Sequence, residues 1–254
     1  MPTLVLVRHG QSVWNQQNRF TGWVDVDLTD QGVAEARKAG ELLAAEDTRF
    51  DAAFTSFQKR AIRTLWMALE GIDQMHIPVT KAWQLNERHY GALTGLNKDE
   101  TKAEHGEEQV RIWRRAFDTP PPQIDPSHEH HPANDPKYAG YDPAILPGGE
   151  SLKMTTDRVL PYFNANIRPM LDAGANLIVS AHGNSLRALM KDLFDVSNDD
   201  IPGFEFPTGN PLLLELGDGQ SVESARYLDE TRAKALPEFR SGANAQSGRD
   251  SNPR

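Results

Sequence analysis

The sequence predicts an α/β fold: a mostly parallel central sheet flanked by helices on both faces. Three observations carry that prediction. Residues 4–7 and 177–179 are uninterrupted apolar runs, the pattern of strands buried on both faces of a parallel sheet. Apolar stripes at helical spacing lie between and after these runs. Both runs stop at a His-Gly pair, His9-Gly10 and His182-Gly183, and the second leads directly into a helical pattern.

The remaining elements follow in chain order. Val33, Ala36, Gly40 and Leu43 fall three and four residues apart, with Thr29 placed to cap the helix they predict. Residues 51–55 form a weaker strand. Ala61, Ile62, Leu65 and Leu69 mark the next helix, opened by Ser56, and residues 79–85 a further strand. Val110, Trp113 and Phe117 predict a third helix. Ser151 begins a long one reaching Leu171, which Pro161 is expected to kink. Leu186, Leu189, Met190 and Leu193 give another immediately after His182-Gly183. Residues 212–216 and 222–227 flank Gly217-Asp218-Gly219 as a hairpin. The simplest organisation is one domain over residues 1–240. Within it, the Pro-, His- and Asp-rich stretch 118–149 is read as a lid insertion, and residues 241–254 are polar enough to predict a disordered tail.

Composition narrows the function. With 27 basic and 36 acidic residues the net charge is -9, which argues against nucleic acid as a main partner. An acidic protein that binds an anion must concentrate its arginines locally. The absence of cysteine excludes disulfides, thiolate nucleophiles and Cys-based zinc sites. The first apolar run is too short for a signal or membrane segment, so a cytoplasmic location is expected. His128-Glu129-His130-His131 is crowded for metal ligation and reads as loop composition, so no metal site is expected.

The most informative feature is an internal echo. Arg8-His9-Gly10-Gln11-Ser12 and Ala181-His182-Gly183-Asn184-Ser185 each end a buried strand. Ligands of an open parallel sheet bind beyond the carboxyl ends of its strands, so two such endings could bring two imidazoles into one crevice. Alone, either histidine reads as a strand cap. Two matched pairs, with Arg8 beside the first, read as a site. Arg60 enters the helix after residues 51–55 at the same sheet edge, and Glu87 follows residues 79–85. These residue types suit displacement at phosphorus: a neutral imidazole as nucleophile, arginines for the equatorial oxygens, and a carboxyl group to move the proton.

Longer strings sharpen this reading. Arg19-Phe-Thr-Gly-Trp23, Lys59-Arg-Ala-Ile62, Leu85-Asn-Glu-Arg-His-Tyr-Gly-Ala-Leu93, Trp113-Arg-Arg115 and Ala181-His-Gly-Asn-Ser-Leu-Arg187 resemble the 2,3-bisphosphoglycerate-dependent phosphoglycerate mutases of the histidine phosphatase superfamily. The resemblance runs from the first strand to about Tyr227 and implies a phosphoglycerate mutase-like fold. It implies His9 as the phosphorylated nucleophile, Glu87 as general acid and base, and His182, Arg8 and Arg60 as stabilisers of the transferring group. It assigns substrate or phosphate contacts to Gly10, Gln11, Ser12, Asn15, Thr21, Gly22, Arg88, His89, Tyr90, Lys98, Arg114, Arg115, Gly183 and Asn184. Gln11 stands where many relatives carry Glu. The implied activity is interconversion of 3- and 2-phosphoglycerate in glycolysis and gluconeogenesis. The implied cofactor is 2,3-bisphosphoglycerate, with no metal, and the implied assembly a dimer or tetramer. The alternatives are a phosphomonoesterase using the same nucleophile, a bisphosphoglycerate synthase, and a non-catalytic phospholigand-binding protein. The last would be expected to lose His9 or Glu87, and both are present.

Overall fold

A computed structural model describes residues 1–238; the tail expected at 241–254 lies outside the described residues. In chain order the elements are β1 (Thr3–Arg8), α1 (Val13–Gln16), α2 (Asp30–Ala44), β2 (Ala52–Thr55), α3 (Lys59–Gly71), β3 (Val79–Lys81), α4 (Lys98–His105) and α5 (Glu107–Arg115). They continue with α6 (Leu152–Tyr162), α7 (Arg168–Asp172), β4 (Leu177–Ala181), α8 (Gly183–Leu193), β5 (Leu212–Leu216) and β6 (Val222–Tyr227). The sheet runs β3-β2-β4-β1-β5-β6. The first four strands in that order are parallel, while β5 and β6 add an antiparallel edge that includes the predicted hairpin.

Strand alternation divides the core between two faces. Leu4 and Leu6 of β1 join Val179, Phe54 and the inward residues of α6 and α8, among them Val159, Leu186 and Leu189. Val5 and Val7 point the other way, to Leu43 of α2 and to Leu65 and Leu69 of α3. A run buried on both sides has to be apolar at every position, which is why residues 4–7 carry no polar side chain.

Several elements end where the sequence pattern did not place them. Residues 79–85 do not form one strand: β3 stops at Lys81 and a 3₁₀ turn covers Trp83–Leu85. Beyond the exposed Thr80 and Lys81 of β3, Ala82, Trp83 and Leu85 turn into the interior, and the turn is closed by hydrogen bonds from the Leu85 N–H to the Ala82 carbonyl and from the Asn86 N–H to the Trp83 carbonyl. Ser56 does not cap α3, which begins after Gln58; the Ser56 hydroxyl is committed to His182 instead. The third predicted helix ends at Arg115, and Phe117 packs on the core from beyond it. Ser151 does cap α6, accepting from the Met154 N–H, but the element reaching Asp172 contains a π-helical turn at Phe163–Ile167. That turn follows Pro161, which lacks the N–H for a regular helical bond.

Residues 118–149 contain 3₁₀ turns at Pro132–Asn134, Pro136–Tyr138 and Pro143–Ile145. His131, Asp135 and Asp142 each open one by accepting from a backbone N–H two residues on. The segment is anchored by Tyr138, which packs against Trp23 and Phe57 and accepts a hydrogen bond from Asn86 at 2.8 Å.

Candidate active site

The parallel register pairs Arg8 with Ala181, so the next residues, His9 and His182, lie side by side at the carboxyl edge of the sheet. Their ring centroids are 4.9 Å apart. Gly10 permits the chain to turn here against α2: a Cβ on it would sit 2.2 Å from the Gly32 carbonyl oxygen. The Gly10 carbonyl lies 2.7 Å from Nδ1 of His9. A carbonyl can only accept, so Nδ1 carries the proton and the Nε2 lone pair is left for chemistry. Burial, then the charges of Arg60 and Arg8, hold the His9 pKa well below 6.5, which keeps the ring neutral at pH 7. His182 is fully buried and depressed in the same way, by burial first and then Arg60. Its Nε2 is 2.8 Å from the Ser56 hydroxyl.

Arg60 is 1% exposed, and its guanidinium is fixed by the carbonyls of Val24 and Gly22 and by Oε1 of Gln58. Burial lowers its pKa to about 10, so it remains a cation. Arg8 donates from Nη1 to the Phe206 carbonyl at 2.8 Å. Nε of Arg8 and Nε of Arg60 are buried donors with no protein partner. Buried guanidinium N–H groups left in this state are costly unless an anion takes them, which fits a phosphoryl group. Glu87 completes the cluster. Burial alone would raise its pKa, but hydrogen bonds from Arg88 and Asn184 and the charges of Arg60 and Arg8 bring it below the ordinary value. The result is a buried carboxylate, ionised and able to take a proton.

A cavity of about 170 Å³ opens above this cluster, below the range of pockets for drug-sized ligands. It is lined by Arg8, His9, Asn15, Thr21, Arg60, Glu87, Tyr90, Lys98, Arg114, Arg115, Gly183 and Asn184, all named from the sequence. His182, beside His9, is outside the lining. Gly10, Gln11, Ser12, Gly22, Arg88 and His89 do not line the cavity either. The Gly10 N–H donates to Thr64, and the Gln11 side chain turns away to Thr29. Ser12 caps α1, and the Gly22 carbonyl positions Arg60. Arg88 supports Tyr90 from behind and donates to the Arg114 carbonyl. His89 is buried with Nδ1 accepting from Gly91.

Four lining residues were not assigned to the site from the sequence: Arg19, Phe20, Arg187 and Glu205. Arg187 stands four residues after Gly183 on α8, so helical spacing could have found it. Arg19 sits in the Arg19–Trp23 string. Glu205 comes from an irregular segment with no sequence signal. The lining thus holds seven cations, Arg8, Arg19, Arg60, Lys98, Arg114, Arg115 and Arg187, against the carboxylates of Glu87 and Glu205. In a protein of net charge -9, that is the local concentration of positive charge an anion site requires. Among the described residues, no group of three or more His, Asp or Glu is arranged to hold a metal ion.

Residues 4–133 match the histidine phosphatase superfamily (branch 1). The chain is 62% identical over 238 residues to a 2,3-bisphosphoglycerate-dependent phosphoglycerate mutase of Maricaulis maris, covering 93% of this chain and 98% of that one. It is 57% identical to the enzyme of the same name from Caulobacter vibrioides, covering 93% and 99%. Among solved structures, it resembles the α-ribazole phosphatase of Shigella flexneri, with a TM-score of 0.66 at 21% identity over 93% of this chain and 100% of that one. A mycobacterial glucosyl-3-phosphoglycerate phosphatase gives a TM-score of 0.66 at 21% identity, covering 89% and 97%. At that identity the structural likeness speaks for the fold.

Proposed function

The chain belongs to the 2,3-bisphosphoglycerate-dependent phosphoglycerate mutases of the histidine phosphatase superfamily, and from that premise we propose that it interconverts 3-phosphoglycerate and 2-phosphoglycerate through a phosphohistidine at His9. The observation that carries this reading is the neutral His9, its Nε2 lone pair unengaged, in a small cavity lined by seven cations.

The cavity fits a multiply charged phosphorylated acid. Nε of Arg8 and Nε of Arg60 are donors for the phosphoryl oxygens, and Lys98, Arg114 and Arg115 are suited to the ligand's other anionic groups. When bound, 2,3-bisphosphoglycerate supplies the phosphoryl group that primes His9. In the forward direction Glu87 takes the proton from the substrate hydroxyl at carbon 2 as that oxygen bonds to phosphorus and the Nε2–phosphorus bond breaks. Nε2 then recovers a phosphoryl group from carbon 3, and Glu87 returns the proton to the oxygen left there. His182, Arg8 and Arg60 stabilise the charge on the equatorial oxygens throughout. Water must be kept out while this happens, a task for which the packed segment 118–149 is suited.

Among the described residues no helix is long and apolar enough to cross a membrane, and a cytoplasmic location goes with the proposed activity. Self-association is part of the same proposal. Trp66 on α3 is 50% exposed and would be covered by a second copy, which light scattering on the eluted protein would register.

The deciding experiment is a coupled assay of 3-phosphoglycerate conversion with and without 2,3-bisphosphoglycerate, in excess EDTA. Conversion stimulated by the bisphosphate, indifferent to EDTA and lost in His9→Ala is the expected result. Steady phosphate release from several monoesters without isomerisation would make the chain a phosphatase.

A further inference from the structure

The segment between α8 and β5 passes the mouth of the cavity and is tied to it at alternate residues. The Pro202 carbonyl accepts from Nη1 of Arg115 at 2.9 Å, that of Phe204 from Nε of Arg187 at 2.5 Å, and that of Phe206 from Nη1 of Arg8 at 2.8 Å. Three cavity arginines therefore hang from one short stretch of backbone. Within it stands Glu205, whose Oε1 takes Nη2 of Arg115 at 2.8 Å and which itself lines the cavity.

A carboxylate at this point is opposed to the charge pattern around it. Glu87, the other carboxylate of the lining, has its Oε1 engaged by Arg88 and Asn184. Glu205 has no such place in the proton-transfer cluster and repels what the seven cations attract. The hydrogen bond from Arg115 holds its pKa below the ordinary value, so it is charged at neutral pH. An incoming anion meets an Arg115 that is already paired.

We propose that Glu205 is a specificity-determining residue that tempers polyanion affinity: it competes with the ligand's anionic groups for Arg115 and so sets how tightly a multiply charged ligand is held. The physical need is clear. Interactions that bind a ligand equally in every orientation lower its release without helping the chemical step. A highly charged ligand that must leave the cavity again is best held by cations that are partly neutralised. The proposal rests on the cavity being an anion site, not on which phosphorylated acid it turns over.

The test is a calorimetric titration of the full chain with inorganic pyrophosphate. It compares wild type, Glu205→Gln, Arg115→Ala and the double variant, at low and moderate salt. The pair is between a third and a half exposed, so the effect expected from freeing Arg115 is modest, about three- to fivefold tighter binding in Glu205→Gln, shrinking with salt. In the Arg115→Ala background most of this gain should disappear, leaving only the small effect of removing direct repulsion from Glu205. Unchanged or weaker binding in a Glu205→Gln protein with wild-type circular dichroism and melting overturns the proposal, and weaker binding would make Glu205 an anchor for Arg115. Failure of wild type to bind pyrophosphate at all would overturn the anion-site reading beneath it.

Discussion

Asn184 gives Glu87 two hydrogen bonds, and both fall on the same oxygen: its backbone N–H and its side-chain amide lie 3.1 and 2.9 Å from Oε1. The Arg88 N–H adds a third at 2.8 Å. Oε2 is left on the side of Gly183, where a Cβ would come within 3.7 Å of it. One oxygen is thus an anchor and the other is placed to exchange a proton. Asn184→Ala removes the side-chain donor and raises the Glu87 pKa towards that of an ordinary buried carboxyl. A carboxyl with a raised pKa protonates sooner as pH falls, so the acidic limb of kcat/KM should move to higher pH, with kcat down about tenfold. Profiles that overlay wild type would remove Glu87 from the proton-transfer role.

Ser56 holds His182 as Asn184 holds Glu87. Its oxygen lies 2.8 Å from Nε2 of the ring and also accepts the Gln58 N–H. Both residues are fully buried, so the ring has no water to turn to. Ser56→Ala should leave the fold intact and loosen the ring. Misplacement of a stabilising group by a fraction of an ångström costs about ten- to a hundredfold in rate, so kcat should fall by that order while KM changes little. A rise in KM with kcat unchanged would contradict this.

Much of this arrangement was legible because sheet topology and site share one cause. The apolar runs at 4–7 and 177–179 read as buried strands of a parallel sheet whose His-Gly endings could share one edge, and the β1–β4 pairing brings them there. Arg187 was missed although helical spacing from Gly183 could have found it. What was not legible depends on backbone carbonyls and irregular segments. Nothing in the pattern of residues 79–85 shows a strand tightening into a 3₁₀ turn, and no periodicity brings Glu205 to Arg115. Gln58 is the clearest case. The sequence pattern does not single it out, yet its side chain ties the Gly22 carbonyl, the Arg60 guanidinium and the Glu87 N–H together. Such a junction is a property of three loops meeting, and each loop alone is silent about it.

The loop carrying Glu87 is fixed from below by Arg158. Its guanidinium makes a paired contact with Glu150 at 2.7 and 2.9 Å and donates to the carbonyls of Gln84, Asn86 and Glu87. Glu150 also accepts the His89 N–H. Both side chains are nearly inaccessible, at 9% and 3% exposure. Removing one partner of a buried pair leaves the other charge uncompensated, at a cost of about 3–5 kcal/mol. Arg158→Met should lower stability to urea by that order and reduce kcat by releasing Glu87. A loss below about 1 kcal/mol, within the range of exposed pairs, would show that the pair does not hold this loop.

Stability itself should fall in mild acid, because the fold keeps three imidazoles neutral. Burial first, then neighbouring charges, depresses His9 and His182 well below 6.5, and burial with the His131 charge brings His89 to about 3. In the unfolded chain each titrates near 6.5. As pH drops through that value the unfolded state gains protons that the folded state refuses, so stability is present above about 6.5 and lost below it. Glu87, lowered from 4.5, acts in the same direction only at more acid pH. For three fully depressed groups the loss between pH 7.5 and 5.5 is about 4 kcal/mol, and each group contributes about 1.4. Urea unfolding of the ligand-free protein at pH 7.5, 6.5 and 5.5 measures it. His9→Gln, which removes one titrating ring, should lose about a third less than wild type over the same interval. Equal losses in the two proteins would mean that His9 is free to protonate in the folded state, and the neutral nucleophile on which the proposed chemistry depends would go with it.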